Sequence, residues 1–335
     1  MRGTLLLPVL LTLVACDQEY NISSDPDAYG DPNSQKLETP SRTDRVLQIT
    51  NPEVDILWVI DNSCSMSEEQ DELAANFPEF MAYFLDSSLD YHIGVVSTDM
   101  DDRSHSGLLQ SAGGGMRWID TETDDAVMRF SQMTRLGTDG SADEQGRAAA
   151  YTALELRAEN DGFLRGEKAG LHVIVVSDED DYSRDSPISS EEFIEYMLNL
   201  KEDPELVTFS SIVGPPTGCG GGGPLGDAEP GDNYFALTDA IGGVMHSICT
   251  DDWSRTLDEL GLLASGLKQE FFLAELPVPG TIEVVVIDNG ADFDLQEGRD
   301  WEYNRGRNSI TLTDYTPPPL AQITITYDLL KGQQP

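Results

Sequence analysis

Asp55-Ile56-Leu57-Trp58-Val59-Ile60-Asp61-Asn62-Ser63-Cys64-Ser65-Met66 decides the fold. Residues 55–60 form a short apolar run of the kind buried on both faces of a parallel sheet. The run ends in a carboxylate, Asp61, followed at alternate positions by two hydroxyls, Ser63 and Ser65. Downstream, Ser67 with Gln70 three residues on reads as a capping box, and Leu73, Phe77, Phe80, Met81 and Phe84 recur at helical spacing. Pro78 predicts a kink or a late start of that helix. Strands are expected at 92–97, briefly at 117–120, at 171–177 (the most hydrophobic) and at 207–213. Helices are expected at 144–159, from a cap at Ser189 or Ser190 to 200, at 237–248 and at 253–267. Asp251 and Asp252 would start the last of these, where acids favour the helix dipole.

Strands alternating with helices imply an α/β fold, a doubly wound and mainly parallel sheet, over residues 46–267. From 268 to 335 the texture becomes alternating apolar and polar (Ile282, Val284, Val286; Ile310, Leu312; Ile323, Ile325, Tyr327) with turn residues between. This predicts a small all-β domain, a sandwich or a sheet packed on the main domain.

A doubly wound sheet binds ligands beyond the carboxyl ends of strands where strand order reverses. Here two buried strands end in acids, Asp61 and Asp178, and two serines follow the first. Carboxylates with hydroxyls make a hard-oxygen cluster suited to Mg²⁺, Mn²⁺ or Ca²⁺. The acidic runs 99–102 and 178–181 extend the same rim and read as solvated loops, with a second Ca²⁺ site as the alternative.

The Asp61-x-Ser63-x-Ser65 loop, the strand end at Asp178 and the α/β pattern between them resemble a von Willebrand factor type A domain over roughly residues 52 to 266. The resemblance implies a metal-ion-dependent adhesion site. Ser63 and Ser65 would ligate the ion directly, Asp61 and Asp178 largely through water, and an acidic residue of a protein partner would complete the octahedron. The family's further threonine has no plain counterpart in 136–146. Thr138 falls early, and counting back from the helix leaves Glu144, Ser141 and Asp143 as alternatives. A carboxylate there predicts less dependence on an incoming acid and more tolerance of Ca²⁺.

The ends and the charge frame this site. Arg2, the apolar run 5–14 and Leu13-Val14-Ala15-Cys16 read as a targeting signal at 1–15, too short to span a bilayer. Its ending resembles the lipobox of bacterial lipoproteins, which implies acylation of Cys16 and a lipid anchor at the cell envelope, periplasmic or surface-exposed. An ordinary secretory signal is the alternative. Residues 16–45 are polar and Gly/Pro-rich, a disordered tether. The net charge of −41, from 61 acidic against 20 basic residues, excludes nucleic acid as a partner. In an oxidising compartment Cys219 and Cys249 are the favoured disulfide, closing a loop worth about 3–4 kcal/mol in the chain-entropy model. Cys64 is then unpaired and expected to be buried.

Catalysis is not expected. Ser63 stands where an aspartyl-phosphate phosphatase carries its second Asp. No Gly-x-Ser-x-Gly elbow occurs, and His92, His105, His172 and His246 are scattered. The glycines at 220–223 lack the Lys-Ser/Thr of a phosphate loop. The expected function is a divalent-cation-dependent protein-binding module for adhesion or assembly. The alternatives are an envelope scaffold with a structural metal and, further off, a metal-dependent hydrolase.

Overall fold

The computed structural model describes residues 40–48, 53–85, 89–111, 113–220, 228–313, 315–318 and 320–329. The targeting signal at 1–15, the lipidation expected at Cys16, the tether up to 39 and the glycine-rich stretch 221–227 lie outside the described residues.

The first strand, β1 (Ser41–Leu47), belongs to the C-terminal sandwich and is taken up with it. Strands β2 (Glu53–Ile60), β3 (Asp90–Ser97), β4 (Gly170–Ser177), β5 (Val207–Val213) and β6 (Met245–Ser247) form one sheet in the order β3-β2-β4-β5-β6, every pairing parallel. Strand β2 has β3 on one side and β4 on the other, so strand order reverses there. In doubly wound sheets it is beyond the carboxyl ends of the strands at such a point, here β2 and β4, that ligands bind.

Both faces of the sheet are covered, as the unbroken burial of β2 and β4 demands. Ile56, Trp58 and Ile60 face α1 (Ser67–Met81), α2 (Ala126–Met133) and a later helix, α6 (Trp253–Ala264). The Trp58 ring meets Phe80 at 5.3 Å and Phe130 at 5.5 Å between centroids, edge to face. Leu57 and Val59 face the opposite layer of α3 (Gly146–Tyr151), α4 (Ser190–Asn199) and α5 (Asp232–Ile241).

At its amino end β2 carries Asp55, fully buried. Arg165 donates to its two oxygens from Nε (2.6 Å) and from its backbone N–H (2.7 Å). Lys201 Nζ and His92 Nδ1 stand 3.8 Å away. The same guanidinium donates to the Val54 and Asp90 carbonyls, tying β2 to β3.

Several expectations are corrected. Helix α1 starts at Ser67 and runs through Pro78, which sits on its exposed face. Its N-cap is Met66 without a side-chain cap, so Ser67 and Gln70 form no capping box; a capping box does join Ser189 and Glu192 at α4. Residues 117–120 reduce to a single antiparallel bridge, Ile119 to Ile93. The helix expected over 144–159 is α3 followed by a π-helical turn, Thr152–Leu156, and a 3₁₀ turn, Ala158–Asn160. The one expected over 237–248 is α5 shifted upstream, and it stops because Gly242 takes φ 97° before the edge strand β6.

The sandwich has its own core. One sheet runs β1-β12-β8-β9, with β8 (Glu283–Asp288), β9 (Ala291–Leu295) and β12 (Gln322–Asp328). The other runs β10-β11-β7, with β7 (Glu270–Phe272), β10 (Trp301–Asn304) and β11 (Ser309–Leu312). Val284, Val286, Ile323, Ile325 and Tyr327 face Phe271, Trp301, Ile310 and Leu312 across the interior. Strand β1 pairs antiparallel with β12 from Ser41↔Asp328 to Leu47↔Gln322. Residues 41–45, read from sequence as tether, are therefore strand, and residue 46 opens no α/β domain.

Candidate metal centre

The carboxyl end of β2 is held by the backbone before any side chain is considered. Asp61 N donates to the Val176 carbonyl of β4 (2.9 Å), and Thr98 N at the end of β3 donates to the Ile60 carbonyl (3.2 Å). Asp61 is thereby fixed between its two neighbouring strands. Its Oδ1 accepts from Ser63 N (2.7 Å) and its Oδ2 from Ser177 Oγ (2.7 Å), the residue preceding Asp178. The Ser63 and Ser65 hydroxyl oxygens lie 3.1 Å apart. Gln70 donates from one side-chain nitrogen to the Asp61 carbonyl and the Gly137 carbonyl, both at 3.0 Å. It braces the loop against the helix, which is why it is free for no cap.

The three alternatives for the further ligand separate cleanly. Ser141 turns to Asp101 and Asp99, and Asp143 is exposed. Glu144 is fully buried, its Oε2 accepts from the Thr98 hydroxyl, and burial and then the Asp61 charge disfavour its ionisation. Thr98 itself, Ser177 and Glu69 escaped the sequence reading. Thr98 follows a strand end on the same rim, the one signal that marked it. Cys64 corrects an expectation: it is exposed, as Ser65 beside it is, where the loop leaves the buried stretch of Asp61, Asn62 and Ser63.

Electrostatics single out the same place. Burial, with Asp178 adding to it, holds Asp61 up at about 6. Burial and the Asp61 charge push Glu144 to about 9. Burial, then Asp178, raises Glu69 to about 7, and burial, then Asp61 and Asp178, raises Glu179 to about 7. Asp178 is raised by burial, while the Ser65 hydroxyl opposes this. Among the described residues no Lys or Arg forms an ion pair with any of these five. The nearby Arg147 is committed to Asp181 (3.1 Å) and to the Ile188 carbonyl, bracing the loop after Asp178.

Asp178 Oδ1, Glu144 Oε1 and Glu69 Oε2 are buried without a hydrogen-bond partner. Buried carboxylate oxygens without donors are costly, and a hard cation is the partner that such oxygens fit. Among the described residues no three of His, Cys, Asp and Glu stand in place to hold an ion by themselves, so an ion held here would need the serine hydroxyls and water in its shell. The residues present fit a divalent ion on that basis. Gln70→Leu, which unties the loop without touching a candidate ligand, is expected to weaken Mn²⁺ binding roughly tenfold by calorimetry; unchanged affinity would show that the brace is irrelevant to the ion.

The disulfide Cys219–Cys249 is formed, with Cα atoms 6.4 Å apart. It joins the loop after β5 to the turn before α6, on the side of the sheet where both cysteines pack against the α1 and α6 core.

No protein-family model matches the chain, and no curated protein matches it. Among solved structures it is similar to a von Willebrand factor type A protein from Catenulispora acidiphila, with 14% identity, a TM-score of 0.44, and coverage of 89% of this chain and 67% of that one. It is similar to proximal thread matrix protein 1 from the mussel byssus, with 13% identity, a TM-score of 0.39, and coverage of 67% and 48%. It is also similar to the open conformation of the pilus adhesin SpaC from Lactobacillus rhamnosus GG, with 9% identity, a TM-score of 0.42, and coverage of 90% and 43%. The chain thus spans less than half the length of the latter two.

Proposed function

We propose that this chain is a divalent-cation-dependent protein-binding module, of adhesion or assembly type, anchored at the bacterial cell envelope. One observation carries the reading: buried carboxylates from two strand ends and a helix approach, beside two serine hydroxyls, with unpaired oxygens and, among the described residues, no ion-paired Lys or Arg. Asp61, Ser63, Ser65, Asp178 and Glu144 would hold Mg²⁺, with Mn²⁺ and Ca²⁺ as substitutes. The bound ion supplies a Lewis-acidic position to which a partner's oxygen coordinates, through an acidic side chain as the resemblance implies. The chain's own part is binding and orientation: Ser177 and the Ser63 N–H orient Asp61, Thr98 orients Glu144, and Gln70 fixes the loop. No turnover is proposed. The disulfide supports an oxidising compartment, and acylation of Cys16 would supply the anchor.

Isothermal titration of Mg²⁺, Mn²⁺ and Ca²⁺ into the parent and an Asp61→Ala variant tests the metal. Binding in the parent and its loss in the variant are expected; a parent that binds none of the three ends the proposal. Partner capture with and without chelator tests the use of the metal. Capture that ignores chelator favours a scaffold that makes its contacts through the sandwich.

A further inference from the structure

Helices α1 and α2 leave between them a groove of about 760 Å³. Ala74, Ala75 and Pro78 of α1 and Val127 of α2 give it an apolar lining. Leu85, just past α1, and Met128 on α2 line it too, with 47% and 51% of their surfaces exposed. A single exposed leucine is ordinary, but two large apolar side chains along one groove form a patch of the kind that marks an interaction site. The same groove has an acidic edge. Asp125 lines it, Glu122 and Asp124 stand in the segment that supplies Thr121 and Thr123 to its wall, and Glu79 follows Ala75 by one helical turn. All four acids are exposed, and among the described residues none of them forms an ion pair. The neighbouring arginines are engaged elsewhere: Arg135 pairs with Asp71 at 3.1 Å, and Arg129 Nε donates to the Asp124 carbonyl at 3.0 Å.

We propose that this groove docks a partner's basic amphipathic helix, an apolar ridge flanked by Lys or Arg. Leucine and the adaptable methionine supply the apolar contact. Long basic side chains lay their stems along such walls while their charged ends reach the carboxylates at the edge. Charge disfavours two other occupants. A second copy of the chain brings the same net −41, and the chain's own residues 17–39 carry six acids against one lysine. None of the groove's residues belongs to the candidate metal centre, so the contact needs no ion and stands or falls apart from the cation reading.

The test titrates the full chain, in chelator, into a fluorescein-labelled helical peptide of leucine and lysine with its leucines on one face. A leucine–glutamate peptide of the same pattern is the counterpart. Fluorescence anisotropy is expected to show saturable binding of the first and none of the second. Leu85→Ser/Met128→Ser is expected to weaken binding roughly tenfold or more, and Glu79→Gln/Asp125→Asn roughly threefold. Asp292→Asn/Asp294→Asn, which removes the same charge from the exposed strand β9, is expected to match the parent. Every substituted side chain is exposed, so all variants are expected to melt with the parent. Added Mg²⁺ is expected to leave the peptide's affinity unchanged. Undiminished binding by Leu85→Ser/Met128→Ser, or equal losses in the groove and β9 charge variants, overturns the proposal and leaves only attraction to the net charge. Two further results overturn it in favour of another occupant. One is uptake by phosphatidylcholine vesicles, without peptide binding, that Leu85→Ser/Met128→Ser abolishes. The other is a dimer of the parent, seen by sedimentation, that the same variant dissociates.

Discussion

An Arg165→Met variant is expected to lose about 3 kcal/mol of folding stability. Asp55 is fully buried in the middle of the sheet's amino edge, and Arg165 supplies the side-chain hydrogen bond at 2.6 Å that compensates its charge. Removing one partner of a buried pair leaves the other charge without compensation, which costs more than the pair contributes when intact. Lys201 at 3.8 Å softens the loss but is itself held by the Arg165 and Gly166 carbonyls and cannot take over the contact. Urea unfolding of the parent and variant at neutral pH measures the difference. The double variant Asp55→Leu/Arg165→Met is expected to recover only part of it, because the apolar pair removes two desolvation costs while the buried Lys201 ammonium loses its carboxylate. A single variant as stable as the parent would mean that the hub is ornamental.

In chelator, thermal stability is expected to fall as pH rises, and a divalent ion is expected to reverse the trend. Asp61, Glu69, Glu179 and Glu144 hold their protons at about 6, 7, 7 and 9 when folded, against ordinary values of 3.8 and 4.5. Between those limits the folded chain binds more protons than the unfolded chain, so stability is full below the ordinary values and is lost as pH climbs through the raised ones. Metal needs the deprotonated carboxylates, so its affinity grows over the same interval. At a free concentration a hundred times Kd it stabilises by about 2.7 kcal/mol. Melting curves from pH 5 to about 9, with chelator and with Mg²⁺, therefore diverge with rising pH. Parallel curves would place the shifted carboxyls outside any cation site.

Legibility followed burial. Strands β2 and β4 were plain because both faces are covered, and such strands read as continuous apolar runs. Two of the edge strands, β6 and β1, were not. Strand β6 is three residues of which none is buried, and β1 alternates charge and hydroxyl as an exposed edge does, a composition shared with linkers. The strand-end acids and serines of the centre were legible from spacing, since a strand terminus fixes where its last residues go. Glu69 and Thr98 were not, because nothing in a first-turn glutamate or a post-strand threonine says which way it faces. Gln70 was misread for the same reason: its spacing from Ser67 suits a cap, while its amide is taken by the loop.

The pairing of β1 with β12 also bears on how the chain matures. Thr43 and Thr326 touch across 283 positions of sequence, and β12 is the strand that links β1 to β8. Contacts of such high order are slow to form and can wait on the ribosome for the last strand to emerge. The parallel sheet, whose strands are all synthesised by Ser247, has no such wait. Truncation between β8 and β12 would strand β1 without a neighbour and bare an edge of β8, a ready seed for aggregation.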